Sequence, residues 1–520
     1  LEFNTDLTRN FLGVFPEILM TILVLVVILI DLYTPPSRRR VTGYIAGVGM
    51  LLIALVAVLM PSGGETVEEQ LVLGGTIRTD SLANIFRFMA ITVGGLTCLM
   101  GMGDPRLRYK SEFFAITIIA TIGASLLGAA ADLVMIFVAL ETLSISLYIL
   151  TGFVRPAKET DSEPQKRFAY LSSESSVKYF LFGAFTSAFF LYGLSLVYGF
   201  TGHTNIYLIG QQLSLSGFET APVLVALVLV IVGFGFKISA VPFHFWTPDV
   251  YEGAPTPATS FISTVSKAAS FAVLVRFLLA VFPPFHENIL PELEGAVSFS
   301  EWWVQLFAIF SVVTMTLGNV VALQQSNIKR LIAYSSIAQA GYALMGVAAI
   351  STDPDGQGVA AVAFYMLMYV MTNTLMFAAL IIFTNETGSE QIKDMAGLSR
   401  RNPWIALGIT VALLSLGGIP PAAGFIGKFL LFRAAVDSGL IWLAMIGVIN
   451  AIISLYYYLV VVKVIYVDES PDQDKEITLP APYGFVIGST TLAVIILGTV
   501  FTPFVNWAND AGADLFLSLF

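Results

Sequence analysis

Residues 221–258 read APVLVALVLVIVGFGFKISAVPFHFWTPDVYEGAPTPA, and the fold of the whole chain can be argued from them. Sixteen uncharged, largely apolar residues lead into Lys237. About 20 such residues cross a bilayer, so this stretch is expected to be a membrane helix with a lysine inside it. A charged side chain at the centre of such a helix costs about 2.5 to 3.5 kcal/mol on insertion scales. Pro242 follows five residues later. Proline lacks a backbone donor and crowds the turn before it, so the helix should kink or unwind at membrane depth. Unwound backbone is tolerated there only inside protein or around a water-filled cavity.

A second stretch repeats the pattern. Residues 413–432 read LLSLGGIPPAAGFIGKFLLF, with Gly417, Gly418, Pro420, Pro421 and Gly424 ahead of Lys428. Two interrupted spans in corresponding halves of a membrane chain point to an ion path built from repeats. Residues 132–148 and 327–343 share a hydropathy pattern, and each is followed two spans later by one of the broken helices. Five spans separate them, an odd number, so the repeats are expected to be inverted.

Composition carries the membrane reading to the rest of the chain. Hydrophobic residues make up 56% of 520 positions and charged residues 12%, about half the charge of a soluble domain. Fourteen spans are expected, near 11–33, 41–60, 81–103, 111–130, 132–153, 175–200, 221–245, 256–283, 302–323, 329–350, 358–384, 403–432, 438–462 and 483–506. The fold class is therefore an all-α polytopic membrane protein with two inverted five-helix repeats, each with a Pro-broken helix. The first apolar run is long enough to span, and the polar Leu1–Asn10 before it does not read as a cleavable signal. The net charge of −10 and the lack of basic stripes argue against a nucleic-acid partner. Cys98 alone cannot make an intrachain disulfide or a Cys-only iron–sulfur cluster. The three histidines, His203, His244 and His286, are too dispersed for a haem pair. No metal site or bound cofactor is expected in this chain.

Lys and Arg fall unevenly between the spans. Loops after odd-numbered spans hold seventeen of the 26 basic residues, among them Arg38–Arg40, Arg106, Arg155, Lys158, Lys329, Arg330 and Arg400. The other side has Arg9, Arg78 and Arg433. Positive loops stay on the cytoplasmic side, so both termini are expected on the opposite, non-cytoplasmic side. Six basic residues remain inside spans: Arg87, Lys178, Lys237, Lys267, Arg276 and Lys428. Arg87 and Arg276 are read as snorkelling to the interface, and Lys178 is balanced between that and an interior role. Lys237, Lys267 and Lys428 are expected to line a polar path, with Glu141 as the buried carboxylate among them. Glu17, after Pro16, reads as a near-interface group. Desolvation lowers a lysine's pKa and a nearby carboxylate raises it again. A Lys–Glu pair of variable separation can thus take up and release a proton. A static ion pair that fixes helix packing is the alternative, and three spaced lysines fit it poorly.

FKISAVPFHFWTPDVYEGAPTP, STVSKAASF, IKRLIAYSSIAQAGYALMG and LLSLGGIPPAAGFIGKF together resemble the proton-translocating subunits of respiratory complex I and the related cation/proton antiporters. The resemblance runs from about residue 10 to 506. It is strongest to the second subunit of the cyanobacterial and chloroplast quinone oxidoreductases, and extends to ISLYYYLVVVKVIY (453–466) and IKDMAGL (392–398). It implies an oxidoreductase subunit without a redox centre of its own. Plastoquinone and iron–sulfur clusters would sit in partner subunits, ferredoxin would dock through them, and lipids would surround the helices. The implied location is a thylakoid membrane.

Carried over by motif, the proton path falls on Glu141 paired with Lys237, then Lys267 at the centre and Lys428 towards the exit. The resemblance makes Lys178 a helper of the first pair. His244 is a relay between Lys237 and Lys267, or an interior histidine steadying unwound backbone. The expected organisation is a subunit-contact region at 1–110, repeats at 111–283 and 301–466, and a final helix and tail at 467–520. LVLGGTIRTD (71–80) is expected to form a lumenal hairpin. A sodium/proton antiporter shares the same motifs and is the rival function; a pump-dead scaffold is a second.

Overall fold

The computed structural model describes residues 7–60, 64, 66–154, 163–215, 220–282, 300–350, 356–470 and 475–517. Arg155, Lys158 and His286 lie outside the described residues. The chain opens with α1 (Leu7–Gly13), α2 (Phe15–Tyr33), α3 (Arg40–Leu59) and α4 (Val67–Gln70). A hairpin of β1 (Leu71–Val72) and β2 (Ile77–Arg78) follows, pairing Leu71 with Arg78 and Val72 with Ile77, where the sequence placed one. Next come α5 (Ser81–Gly103), α6 (Ser111–Ala129), α7 (Leu133–Thr151), α8 (Glu163–Thr201), α9 (Ile206–Leu215), α10 (Thr220–Ile238) and α11 (Trp246–Gly253). α12 (Thr256–Phe261) runs into α13 (Lys267–Val281) through one π-helical turn. The second half holds α14 (Ser300–Ala322), α15 (Ile328–Ala348), α16 (Gln357–Thr387), α17 (Leu398–Arg401), α18 (Pro403–Gly417), α19 (Ala423–Asp437) and α20 (Ile441–Tyr466). α21 (Ala481–Thr499) and α22 (Thr502–Leu517) close it.

Among the described residues thirteen helices are long and apolar enough to cross a membrane, and the pair α18–α19 fills the place of the expected twelfth span. Both expected breaks are present. α10 stops at Ile238 and α11 starts at Trp246; α18 stops at Gly417 and α19 starts at Ala423. The expected last span at 483–506 is shorter: α21 ends at Thr499 and α22 is a separate helix. Pro503, in the first turn of α22, cannot donate into a continued helix. α16, α15 and the α12–α13 span sit in the middle, almost wholly enclosed, while α2, α8, α20 and α21 expose apolar faces outward.

The two halves repeat in detail. Asp132 caps α7 by accepting from the Val134 amide at 2.8 Å, and Asn327 caps α15 by accepting from the Lys329 amide at 2.8 Å. Each cap residue also makes an isolated antiparallel bridge, Asp132 to Asn205 and Asn327 to Gln391. Gly123 lies so close to α7 that an added Cβ would meet the Leu143 amide and the Ala139 carbonyl. Gly318 lies in the same way against Ala338 and Tyr334 of α15. The offset that carries Asp132 onto Asn327 carries Gly123 onto Gly318, and it carries Glu141 onto Ser336. Gly at these positions permits the close helix approach that association in lipid relies on.

Arg87 and Arg276 do not snorkel. Arg276 is wholly buried and grips Asp80 with both terminal nitrogens at 2.7 Å. Arg78 joins the same carboxylate at 3.1 Å and donates to Tyr207 at 2.7 Å. Arg87 is buried against Glu17 at 2.9 Å, and Glu17 also accepts from Ser125 at 2.5 Å. Glu17 is therefore an interior group, not an interfacial one. The reason is a partner: a buried arginine is stable when a distant carboxylate is folded against it.

Burial alone would raise the Asp80 carboxyl, but Arg276 and Arg78 hold it at about 2. A folded-state value below the usual 3.8 adds stability at higher pH, which is lost as pH falls from about 3.8 through about 2. Asp80→Asn leaves two guanidiniums uncompensated and is expected to cost about 3–5 kcal/mol. Thermal unfolding in detergent checks this, with a lowered midpoint expected at pH 7.

Candidate functional site

The first break is held open by side chains. Val241 donates its amide to Thr314 Oγ1 at 3.0 Å, Trp246 Nε1 donates to the Phe236 carbonyl at 3.1 Å, and Thr247 Oγ1 donates to Ser239 Oγ at 2.9 Å. Backbone groups freed by Pro242 thus find partners, as buried polar groups must. Lys237 stands in the last turn of α10, 2% exposed, and its Nζ has no hydrogen-bond partner. It faces the rings of Tyr148, Tyr179 and Phe236 at 5.5, 5.6 and 5.8 Å. Aromatic faces attract a cation within about 6 Å.

Glu141, on α7, is half-buried and accepts from Ser187 Oγ at 2.6 Å. Among the described residues no ion pair joins it to Lys237. The expected Glu141–Lys237 contact is therefore open in this conformation, with Tyr148, two turns further along the same face of α7, beside Lys237.

Lys178 is placed differently from expectation. It is half-exposed and bound to Glu174 at 2.8 Å and Asp249 at 2.7 Å, not to the Glu141 region. Arg330 takes the other Asp249 oxygen at 3.0 Å and Glu252 at 2.9 Å. The acidic residues of WTPDVYEG thus tie α8 and α11 to the start of α15. Lysine with two ready carboxylates nearby has no reason to enter the bundle.

Lys267 begins α13 directly after the π-helical turn Ile262–Ser266, a distortion often found at functional sites. It is 1% exposed and donates to the Ser336 carbonyl at 2.9 Å and to Ser336 Oγ at 2.5 Å. The Ser336 hydroxyl also meets Tyr251 at 3.0 Å and Tyr369 at 2.7 Å. One turn along α15, Gln339 donates to the Tyr458 hydroxyl at 3.1 Å and to the Leu416 carbonyl at 3.3 Å, and accepts from Tyr365.

Lys428 ends this row. Its Nζ donates to the same Leu416 carbonyl at 2.8 Å and to Gly417 at 3.3 Å, and sits 4.7 Å from the Tyr342 ring centre. These carbonyls end α18, where the helix dipole is negative and acceptors lack intrahelical donors. Gly418 makes the turn with φ 82°, a conformation that suits glycine. Side chains of α15 thus meet both ends of this row: Ser336 receives Lys267, and Gln339 one turn on shares the Leu416 carbonyl with Lys428.

His244 lies in the first break, half-buried, with Nδ1 unpaired. Among the described residues no hydrogen bond joins it to Lys237 or Lys267. Sequence reading missed Ser336, Gln339, Tyr179, Tyr251 and Tyr369. A signal was there: SSIAQ (335–339) puts three polar side chains inside an apolar span.

The comparisons with known proteins fall on this arrangement. A model of the NADH:quinone oxidoreductase/Mrp antiporter transmembrane family matches residues 130–454. The chain is 39% identical to NADH-quinone oxidoreductase subunit N of Moorella thermoacetica, over 96% of this chain and 98% of that one. It is also 39% identical to NAD(P)H-quinone oxidoreductase subunit 2 of Synechocystis, over 98% and 95%. Among solved structures it is similar to a chain of respiratory complex I from Thermus thermophilus, with 28% identity, a TM-score of 0.73 and coverage of 94% and 98%. A chain of the Mrp complex from Dietzia shares the fold, with 21% identity, a TM-score of 0.79 and 98% coverage of both.

Proposed function

Because this chain belongs to the NADH:quinone oxidoreductase/Mrp antiporter transmembrane family, we propose that it carries protons for a complex I-type quinone oxidoreductase. The observation that supports this most is the set of three enclosed lysines. Lys237, Lys267 and Lys428 are 2%, 1% and 4% exposed, and none is ion-paired to a carboxylate among the described residues. A scaffold gains nothing from unpaired buried amines; a proton carrier needs groups able to hold or release charge.

The path runs from Glu141 through Lys237 and Lys267 to Lys428. Quinone reduction in partner subunits changes the Glu141–Lys237 separation; with the carboxylate near, Lys237 keeps its proton, and with it distant the proton moves on. Lys267 passes it along α15 to Lys428, at the second break. Residues 1–110 contact a neighbouring subunit, 111–283 and 301–466 are the two repeats, and 467–520 forms the final helix and tail. Both termini face the lumen, by the Lys/Arg bias between spans. The cyanobacterial relative, named an NAD(P)H-quinone oxidoreductase subunit, supports a quinone as acceptor and NAD(P)H as donor; the thylakoid membrane, plastoquinone and ferredoxin are carried over from the resemblance. Redox centres belong to the partners.

Gentle extraction from native membranes, sizing and mass spectrometry test the assembly. The chain is expected in a complex of several hundred kilodaltons with iron–sulfur subunits, on the order expected for a multisubunit oxidoreductase. Migration with small membrane subunits alone would instead indicate a cation/proton antiporter.

A further inference from the structure

Between Lys237 and Lys267 the structure sets a row of buried hydroxyls that nothing above uses. Tyr179 on α8 is wholly enclosed and presents its ring to the Lys237 ammonium at 5.6 Å. Its ring is stacked on Trp246, with centroids 4.4 Å apart and planes 12° apart, so its position is fixed by the first break itself. The Tyr179 hydroxyl is buried without a hydrogen-bond partner. Tyr251, from WTPDVYEG, is wholly buried on α11, the same short helix whose Trp246 stacks on Tyr179. Its hydroxyl meets Ser336 Oγ at 3.0 Å, and Ser336 Oγ receives Lys267 Nζ at 2.5 Å.

We propose that the proton passes from Lys237 to Lys267 through the hydroxyls of Tyr179, Tyr251 and Ser336. The inference rests on the lysine path proposed above and supplies the side chains that join its first two members. The repeat symmetry supports it independently. Ser336 occupies in the second half the place that Glu141 holds in the first. At that point of α15 the acceptor oxygen receives an enclosed lysine, while at the matching point of α7 Glu141 receives Ser187. In the second half the acceptor is a hydroxyl, which both takes and gives a proton.

The transfer balances without any other reactant. The Lys237 ammonium gives one proton to Tyr179 Oη as the Tyr179 hydrogen passes to Tyr251 Oη. The Tyr251 hydrogen moves to Ser336 Oγ, and the Ser336 hydrogen moves to neutral Lys267 Nζ. Lys237 ends neutral, Lys267 ends as an ammonium, and each hydroxyl again holds one hydrogen. No hydrogen bond pins Lys237 Nζ, and its long flexible stem lets it swing to the Tyr179 hydroxyl. Ser336 must turn its hydrogen from Tyr369 towards Lys267. Tyr369 donates its own hydrogen to the Ser263 carbonyl at 3.0 Å, so it receives the Ser336 hydrogen in the resting state.

Tyr179→Phe and Tyr251→Phe test the route, because each keeps the ring and deletes only the oxygen. The assembled complex is reconstituted in sealed vesicles, and the proton translocation removed by Lys237→Ala is taken as this chain's share. Each Phe variant is expected to assemble to wild-type size and to reduce that share to about a tenth or less, since a positioned proton donor contributes roughly 10²–10⁴-fold. The residual transfer should slow more in D2O than the wild type, which a packing defect would not produce. Wild-type translocation in both Phe variants, with Lys237→Ala inactive, overturns the hydroxyl route and leaves the lysine path standing. Wild-type translocation in Lys237→Ala overturns the lysine path itself. The two variants are separate, so a folding defect in one leaves the other to decide.

Discussion

Lys237→Ala is expected to abolish the proton translocation contributed by this chain while the complex still assembles. The second half of that expectation follows from geometry. Lys237 Nζ donates to no acceptor, so its removal leaves no carbonyl or carboxylate without a partner. What is lost is an aromatic-faced cation and the packing of one stem, and the tyrosines around it are held by other contacts such as the Tyr179–Trp246 stack. Breaking a satisfied buried pair costs several kcal/mol; deleting an unpaired amine avoids that cost. The first half follows from position. Lys237 is the enclosed amine that faces Tyr179, 5.6 Å from the centre of its ring. Sizing by native electrophoresis and dye-reported acidification of vesicles measure the two halves separately. Normal acidification would remove Lys237 from the path.

The second large effect is expected at Lys428, where arginine and alanine should part company. Lys428 is both a proposed path member and the cap on α18, because its ammonium satisfies Leu416 and Gly417 at the helix end. Alanine leaves the Gly417 carbonyl without its lysine donor and Leu416 with Gln339 alone, at about 1–3 kcal/mol, and removes the proposed proton site as well. Arginine keeps the positive charge and the donors but does not give up its proton in proteins. Lys428→Arg is therefore expected to assemble and to hold α18 while translocating no protons. If Lys428 were only a cap, arginine would pump and alanine would not assemble. Assembly and acidification, measured on both variants, separate these roles.

The lysines were legible in the sequence because charge inside a span is costly and therefore rare. The breaks were legible because Pro242, Pro420 and Pro421 cannot continue a helix. Other parts were hidden for equally physical reasons. Arg87 and Arg276 read as interfacial because their partners, Glu17 and Asp80, are far away in the chain and come together only on folding. Lys178 is balanced between interface and interior on its position, and the resemblance makes it a helper; its partner Asp249 is hidden because it lies beyond the break that brings it near. Ser336 and the tyrosines escaped notice because mid-span hydroxyls are cheap: most bond back to a carbonyl four residues earlier, as Ser144 does to Leu140. The few that bond across helices look the same in a sequence. The repeat was faint in residue identity and plain in structure, since caps, bridges and glycine contacts persist where side chains have changed.

The comparisons narrow the choice between an oxidoreductase subunit and a cation/proton antiporter without measuring transport. Relatives named as quinone oxidoreductase subunits align over nearly the whole chain at 39% identity, and the Mrp chain shares the fold at 21%. The proposed lysine path would serve either function; what differs is the energy source. The most direct measurement is therefore proton movement into sealed, sodium-free vesicles holding the whole complex, with and without electron donor and quinone. Acidification that begins with quinone reduction, stops when the quinone is exhausted and needs no sodium is the predicted result. Proton movement that requires a sodium gradient and ignores the electron donor would contradict it.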